Sequence, residues 1–234
     1  MSTLLLVRHG LTAQTGPVLT GRTAGVHLDD RGQKQAAAVA ERLAVLPLSA
    51  IVTSPLDRCL DTASYVRAAQ QVAGRSPEWE VDERIVECDY GSWTGRPIKE
   101  LAKDPVWKIV QTQPSAARFP DGETLTDVSA RAVAAVRDWD ARLGAEALWV
   151  ACSHGDVIKA ILADALGLHL DQFQRIVVDP CSVSVIRYTD TRPYVLRSND
   201  TGGDLSPFAP PKRKGRRKRA DDATVGGGAG GGSV

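Results

Sequence analysis

The sequence is poor in the features that mark several protein classes. Its 234 residues include only four cysteines, which are widely spaced and form no C-x-x-C pair, so neither a zinc site nor a disulfide framework is indicated. No apolar stretch approaches the roughly 20 residues of a membrane span. The N-terminus lacks a signal-peptide profile, because charged Arg8 follows a very short apolar run. We therefore predict a cytoplasmic protein with reduced thiols and no membrane partner.

The net charge is also small, but the charged residues are unevenly distributed along the chain. The formal total of +1 includes a crowded basic run near the C-terminus, without which the rest of the chain carries −6. A nucleic-acid-binding core is therefore not favoured, and only the basic run offers a surface for RNA, DNA or an acidic partner. From about Asn199 onward Gly, Pro and basic residues dominate, so little of that segment can be buried. We predict one folded domain over residues 1–199 and a disordered, basic and Gly-rich tail over residues 200–234.

Hydrophobic patterning predicts alternating strands and helices. Short apolar runs predict strands and helically spaced apolar positions predict helices, and two final alternating runs suggest a hairpin. This alternation favours a layered α/β domain. The predicted strands cover residues 3–7, 50–53, 79–81, 148–152, 182–188 and 194–198, and the predicted helices begin at residues 29–30, 54–55, 97, 124 and 157.

Two histidines occupy equivalent positions, each directly after a predicted buried strand and each followed by glycine. These are His9, before Gly10, and His154, before Gly155. Loops at the carboxyl ends of strands form the ligand crevice of an open α/β sheet, and glycine lets backbone N–H groups approach an anion. The two loops are therefore expected to face one another across a pocket.

Arginines accompany these loops. Arg8 precedes His9, and Arg58 lies one helical turn after residues 53–55, where the helix start also offers free N–H groups. Permanent positive charge suits a phosphoryl group, whose oxygens carry charge throughout transfer. A neutral imidazole can attack phosphorus and form a phosphohistidine. Glu87 is the preferred proton donor, since a carboxyl among apolar neighbours has a raised pKa, and Asp89 is its rival.

With these residues in view, the chain resembles the histidine phosphatase superfamily in its phosphoglycerate-mutase-like branch. The signature of that family is the triplet Arg8-His9-Gly10. One such triplet is weak evidence, but further matches follow in the family's order and span nearly all of residues 3–198. They are residues 28–36, 53–63, 87–95, 119–123 and 153–155.

The resemblance implies a three-layer α/β/α sandwich with a mostly parallel sheet, and a phosphomonoester hydrolase that needs no metal and no organic cofactor. It implies His9 as the phosphorylated nucleophile and Glu87 as general acid and base. Arg8, Arg58 and His154 are implied as the phosphate pocket. A homodimer is the oligomer that the resemblance suggests.

Further binding residues follow from the same resemblance. Thr15 lies where many members contact phosphate, Gly21 and Arg22 belong to a loop that flanks the substrate, and Gly155 adjoins His154. Arg22 either binds the substrate or is a loop residue without a substrate contact. Leu11 departs from the polar residue common in the family, at a position peripheral to the chemistry.

Three functions compete. Hydrolysis of a small phosphorylated metabolite is favoured, because residues 96–120 are too short and too poorly basic for the insertion that the mutases carry. The alternative is a phosphomutase of the phosphoglycerate mutase type. A third hypothesis, from another class, is a catalytically silent phosphate-binding scaffold that uses its basic tail to recruit a partner. The sequence does not name the leaving group, because substrate choice lies in variable loops.

Overall fold

A six-stranded sheet organises the computed structural model, which describes residues 2–203, 205 and 209. The strand order across the sheet is β3-β2-β4-β1-β5-β6. The first four strands of that order are mutually parallel, β5 runs antiparallel to β1, and β6 runs antiparallel to β5. The mostly parallel sheet is thus confirmed. Its strands are β1 (Ser2–Arg8), β2 (Ala50–Thr53), β3 (Glu78–Val81), β4 (Leu148–Ser153), β5 (Val183–Tyr188) and β6 (Pro193–Asp200).

Local capping signals set where the main helices begin. The Asp29 side chain accepts hydrogen bonds from the backbone N–H groups at the start of α1, and Thr124 forms a reciprocal capping box with Asp127 at the start of α5. The α-helices of the described chain are α1 (Asp30–Leu43), α2 (Asp57–Val72), α3 (Ile98–Leu101), α4 (Pro105–Thr112), α5 (Leu125–Leu143) and α6 (Gly155–Ala165).

One predicted helix is wrong. The segment from residue 97 to 110 is divided into α3 and α4, because Pro105 has no N–H to donate and its ring clashes with a preceding helical turn. Proline is well tolerated in the first turn of a helix, and the Asp104 side chain caps α4 by accepting the N–H of Val106.

The sheet is covered on both faces. Leu4 and Leu6 of β1 pack in one cluster with side chains from α5 and α6, whereas Leu5 and Val7 pack in a second cluster with side chains from α1 and α2. Successive residues of a strand point to opposite faces, so one short apolar strand supplies both layers. The three-layer α/β/α sandwich is confirmed.

Ordered packing continues past residue 199. β6 ends at Asp200, whose Oδ1 forms an ion pair with Arg42 Nη2 at 2.7 Å. Leu205 is buried in the hydrophobic cluster that also contains side chains of α1. Most of the tail predicted over residues 200–234, including its whole basic run, lies outside the described residues. None of the helices described is long and apolar enough to cross a membrane.

The sheet also brings three loops together. β1, β2 and β4 are parallel neighbours, with Arg8 opposite Ser153 and Thr53 opposite Cys152. The residues that follow these strands therefore emerge side by side at the carboxyl edge.

Candidate active site

The two predicted histidines meet at this edge. His9 follows β1 and His154 follows β4, and their ring centroids are 5.3 Å apart in an edge-to-face arrangement. Arg58, from the first turn of α2, lies against both rings, with Nε 3.3 Å from His9 Nε2 and Nη2 3.3 Å from His154 Nδ1. A guanidinium and two imidazoles thus form one buried cluster.

His9 is held as a neutral imidazole whose Nε2 lone pair accepts a hydrogen bond from Arg58 Nε. Its Nδ1 lies 2.7 Å from the carbonyl oxygen of Gly10, which can only accept, so Nδ1 carries the proton. Burial, followed by the charges of Arg58 and Arg8, lowers the pKa of His9 to about 3. At neutral pH, Nε2 therefore has the lone pair that a nucleophile requires.

The two arginines direct unused donors into the same region. Arg58 Nη2 donates to the Gly21 carbonyl at 2.7 Å and Arg8 Nη1 donates to the Val178 carbonyl at 2.6 Å. In the part of the chain that the structure describes, Arg8 Nε and Arg58 Nη1 are buried and have no hydrogen-bond partner. Buried guanidinium N–H groups without acceptors suit an anionic ligand such as phosphate.

His154 is the fully buried member of this cluster. Its Nε2 lies 2.7 Å from Ser54 Oγ, and its Nδ1 lies 3.9 Å from Glu87 Oε2. Burial, then the charge of Arg58, holds the pKa of His154 well below its ordinary value. His154 is therefore neutral at pH 7 and lies between the arginine and the acid.

Glu87 has the environment of a proton donor. Its carboxyl is nearly buried, and Oε1 accepts the Cys88 N–H at 3.0 Å. Burial and the nearby charge of Asp156 raise the pKa of Glu87 to about 7, against the opposing charge of Arg58. The rival Asp89 instead accepts the N–H of Gly91 and is not among the residues that line the cavity described next.

A cavity of about 610 Å³ opens in front of these groups. His9, Arg8, Arg58 and Glu87 all line it. So do three of the other predicted binding residues, Thr15, Gly21 and Gly155. No group of three or more His, Cys, Asp or Glu side chains in the described part of the chain is arranged to hold a metal ion.

Local backbone structure explains two of these residues. Gly21 has φ +54°, and a Cβ added there would lie 2.8 Å from Thr94 Oγ1, so glycine is favoured at this position, whose carbonyl accepts a hydrogen bond from Arg58. The Thr15 hydroxyl accepts the Thr12 N–H at 3.0 Å and closes the loop after β1. Gly155 begins α6, and a Cβ added there would lie 3.7 Å from Cζ of the Arg8 guanidinium.

Two predicted binding residues, His154 and Arg22, are not among the residues that line the cavity. Arg22 is committed to other partners. Its Nε donates to the Glu87 carbonyl at 2.8 Å and its Nη2 to Glu123 at 2.9 Å. Arg131 holds the same two groups from α5, with its Nη2 3.2 Å from the Glu87 carbonyl and its Nε 2.9 Å from Glu123. We name these three residues, Arg22, Glu123 and Arg131, the acid clamp, because together they fix the backbone that carries Glu87.

The acid clamp predicts a stability effect. Glu123→Gln is expected to lower the free energy of unfolding by about 2 kcal/mol at pH 7, because two largely committed guanidinium groups lose their shared carboxylate. Partial burial raises the pKa of Glu123, but hydrogen bonds from Arg131 and the Asp89 N–H outweigh it and lower the pKa overall. The loss of unfolding free energy caused by Glu123→Gln is therefore expected to have its full size above the unfolded glutamate pKa of about 4.3. It is expected to become smaller as the pH falls further.

Urea unfolding at pH 7 and pH 3.5 measures this difference. Asp164→Asn is the matched control, since it removes an exposed ion pair between Asp164 and Arg137 and is expected to change stability by less than about 0.5 kcal/mol. An equal loss of unfolding free energy in Glu123→Gln and Asp164→Asn at pH 7 would contradict a stabilising role of the acid clamp.

Several groups that orient the site could not be predicted from the sequence. Thr62 Oγ1 accepts the Gly10 N–H at 3.1 Å and donates to the Arg58 carbonyl at 2.8 Å. Ser54 bonds His154, and its Oγ also accepts the Leu56 N–H, so that this N–H at the start of α2 faces a side chain rather than the cavity. The Thr62–Gly10 and Ser54–His154 contacts join residues 52 and 100 positions apart, and no local pattern predicts them. Asp156 lines the cavity and accepts a hydrogen bond from the Tyr90 hydroxyl at 2.8 Å. The sequence signal for it was its position as an acidic residue in the first turn of α6.

Comparison with known proteins gives matches over nearly the same span. The model of the histidine phosphatase superfamily (branch 1) matches residues 4–201. Phosphoserine phosphatase 1 of Hydrogenobacter thermophilus is 31% identical over 206 residues, covering 86% of this chain and 93% of that protein. A probable phosphoglycerate mutase GpmB of Cronobacter sakazakii is 29% identical over 212 residues, covering 88% and 94%. The solved structure of Bacillus stearothermophilus YhfR superposes with a TM-score of 0.78 at 28% identity, covering 86% of this chain and 98% of that one.

Proposed function

Because the chain belongs to the histidine phosphatase superfamily, we propose that it hydrolyses phosphomonoesters of small metabolites through a phosphohistidine on His9, with Glu87 as general acid and base and without a metal ion. Its relatives are phosphatases or phosphoglycerate mutases, and the chain is an enzyme of this phosphoryl-transfer class. The observation that carries the proposal is that the unprotonated Nε2 of neutral His9, which accepts a hydrogen bond from Arg58, lines the same cavity as two arginines that keep unpartnered N–H groups.

In the first step, the phosphoryl group of the ester accepts hydrogen bonds from Arg8 and Arg58, and neutral His9 attacks phosphorus through Nε2. The P–N bond forms as the P–O bond to the leaving group breaks, and the electron pair of that bond goes to the leaving oxygen. Glu87, protonated because its pKa is raised to about 7, transfers its proton to that oxygen. The arginines stabilise the negative charge on the equatorial oxygens.

In the second step, water attacks the phosphohistidine. The Glu87 carboxylate left by the first step accepts a proton from that water, the P–N bond breaks, and its electron pair returns to His9 Nε2. Inorganic phosphate leaves, and Glu87 is protonated again. A pKa near the working pH suits one carboxyl to both roles.

The lining of the cavity favours hydrolysis over mutase chemistry. Residues 96–120 contribute only apolar Ile98 to the described lining. The one lining cation besides the two phosphate-site arginines, within the described residues, is Lys159, which lies 3.7 Å from Asp156. A mutase needs further basic groups to retain a phosphorylated intermediate, so water is the better-supported acceptor.

Rapid acid-free quenching with a ³²P-labelled ester tests the covalent step. The wild type is expected to carry an acid-labile, base-stable label, and His9→Ala is expected to carry none. His27→Ala is the matched control, because His27 is an exposed histidine paired with Asp61 and is expected to label normally. Label on His9→Ala, or none on the wild type, would overturn the proposal.

The same experiment separates hydrolysis from mutase chemistry and tests for a metal. A phosphatase releases the label as inorganic phosphate, whereas return of label to a second hydroxyl of phosphoglycerate without phosphate release indicates a mutase. Labelling and release are expected to persist after dialysis against a chelator. Their loss on dialysis, with recovery on adding a divalent cation, would contradict the metal-free mechanism.

A further inference from the structure

The cavity is far larger than a phosphoryl group, and two chain segments, which we call its aliphatic walls, contribute aliphatic side chains to its lining. The first wall is the loop of residues 16–21, joined to residues 95–98 by backbone hydrogen bonds of 2.8 to 3.0 Å, among them Gly95 N–H to the Leu19 carbonyl and Ile98 N–H to the Pro17 carbonyl. Val18, Leu19 and Ile98 line the cavity from this wall. The backbone bonds make it a fixed surface.

The second wall is the segment of residues 176–180. Arg8 donates to the Val178 carbonyl, and the Asp179 N–H donates to Asn199 Oδ1 at 2.6 Å. Ile176 and Val177 line the cavity from this side, and Val177 is 59% exposed. An exposed valine at the mouth of a cavity gains from contact with an apolar ligand, which removes its surface from water.

The charged groups of the outer cavity are already occupied. Lys159 donates to Gln174 at 3.1 Å and lies near Asp156, and the Asp179 carboxylate accepts the Asn199 amide at 2.7 Å. Arg22, the other candidate cation, belongs to the acid clamp. Among the described residues that line the cavity, we therefore find no uncommitted cation for a second anionic group of the substrate.

Resting on the proposed function, we infer that the preferred substrates are phosphomonoesters whose leaving alcohol is apolar and uncharged. The alcohol lies between the two aliphatic walls while the phosphoryl group occupies the arginine pocket. Esters that carry a second carboxylate or phosphate are disfavoured, because that anion meets aliphatic side chains and the carboxylates of Asp156 and Asp179.

A matched pair of esters tests this inference with the wild-type full chain. Butyl phosphate and 3-carboxypropyl phosphate share the reacting group and the chain of methylene carbons, and they differ in a terminal carboxylate. We expect kcat/KM to be about tenfold or more higher for butyl phosphate, since the terminal carboxylate meets aliphatic side chains and the carboxylates of Asp156 and Asp179 without gaining a cationic partner. Equal rates, or a faster carboxylated ester, would overturn the inference while leaving the hydrolytic function intact. Absence of turnover with both esters, together with absence of phosphohistidine, would instead contradict the proposed function.

Wall variants add a second readout. Val177→Ser and Ile98→Ser are each expected to lower kcat/KM for butyl phosphate about five- to tenfold, with a smaller loss for methyl phosphate, whose leaving group is too short to span the walls. Val72→Ser is the control, because Val72 is 91% exposed at the end of α2 and does not line the cavity. Equal losses for the two esters would contradict contact between the walls and the alcohol.

Discussion

His9→Ala is expected to lower kcat for phosphomonoester hydrolysis by about 10³-fold or more, because the covalent route loses its nucleophile and only binding and charge stabilisation remain. Arg8 and Arg58 are also held by the Val178 and Gly21 carbonyls, so inorganic phosphate is expected to bind the variant as a competitive inhibitor. Steady-state kinetics and phosphate titration measure the two effects. His27→Ala is expected to behave as the wild type in both.

The pH dependence gives a second view of the nucleophile. Because the pKa of His9 is lowered to about 3, the imidazole stays neutral from pH 4 upward in the free enzyme. We therefore expect no loss of kcat/KM from His9 protonation between pH 5 and pH 7. Wild-type turnover by His9→Ala would contradict its role as nucleophile.

Glu87→Gln is expected to lower kcat by about 10²- to 10⁴-fold for alkyl phosphates, whose leaving oxygens need a proton. The loss in the phosphorylation step is expected to be much smaller for p-nitrophenyl phosphate, since nitrophenolate leaves without protonation. Quench-flow measurement of the phosphorylation rate with both esters separates loss of the acid from general damage to the site. Glu41→Gln, at an exposed position of α1, is the matched control.

The raised pKa of Glu87 also fixes the direction of the pH effects. Since its protonated form is the acid, the phosphorylation rate of the wild type is expected to fall as the pH rises through about 7. Since its ionised form is the base, hydrolysis of the phosphohistidine is expected to slow as the pH falls below that value. Glu87→Gln is expected to abolish both dependences, and a retained alkaline limb would assign the acid to another residue.

Local sequence signals were sufficient for most of the fold. Short apolar runs predicted β1, β2 and β4, and the helix starts predicted at residues 29–30 and 124 agree with the observed starts of α1 and α5. Parallel strands place their following loops at one edge, so His9 and His154 were expected to meet. The division between α3 and α4 was missed, because helical spacing of apolar residues was given more weight than Pro105.

The chemical groups were easier to predict than the groups that hold them. Four of the chemical groups lie beside recognisable strand ends or motifs, namely Arg8, Arg58, Glu87 and His154. The partners of Ser54 and Thr62, in contrast, depend on how distant segments pack. Arg22 shows the limit of transfer by resemblance. Its position in the loop suggested a substrate contact, but its guanidinium donates hydrogen bonds to Glu123 and to the Glu87 carbonyl.

The unpartnered N–H groups of Arg8 and Arg58 have a consequence for how long the folded protein survives. Burying these donors without acceptors costs stability, and on the proposed function phosphate supplies both the acceptors and the opposing charge. A ligand that binds only the native state stabilises it in proportion to the logarithm of its concentration. The proposed function therefore links the lifetime of the folded protein to its reactants, because it has ester and released phosphate each bind, and so protect, the native state.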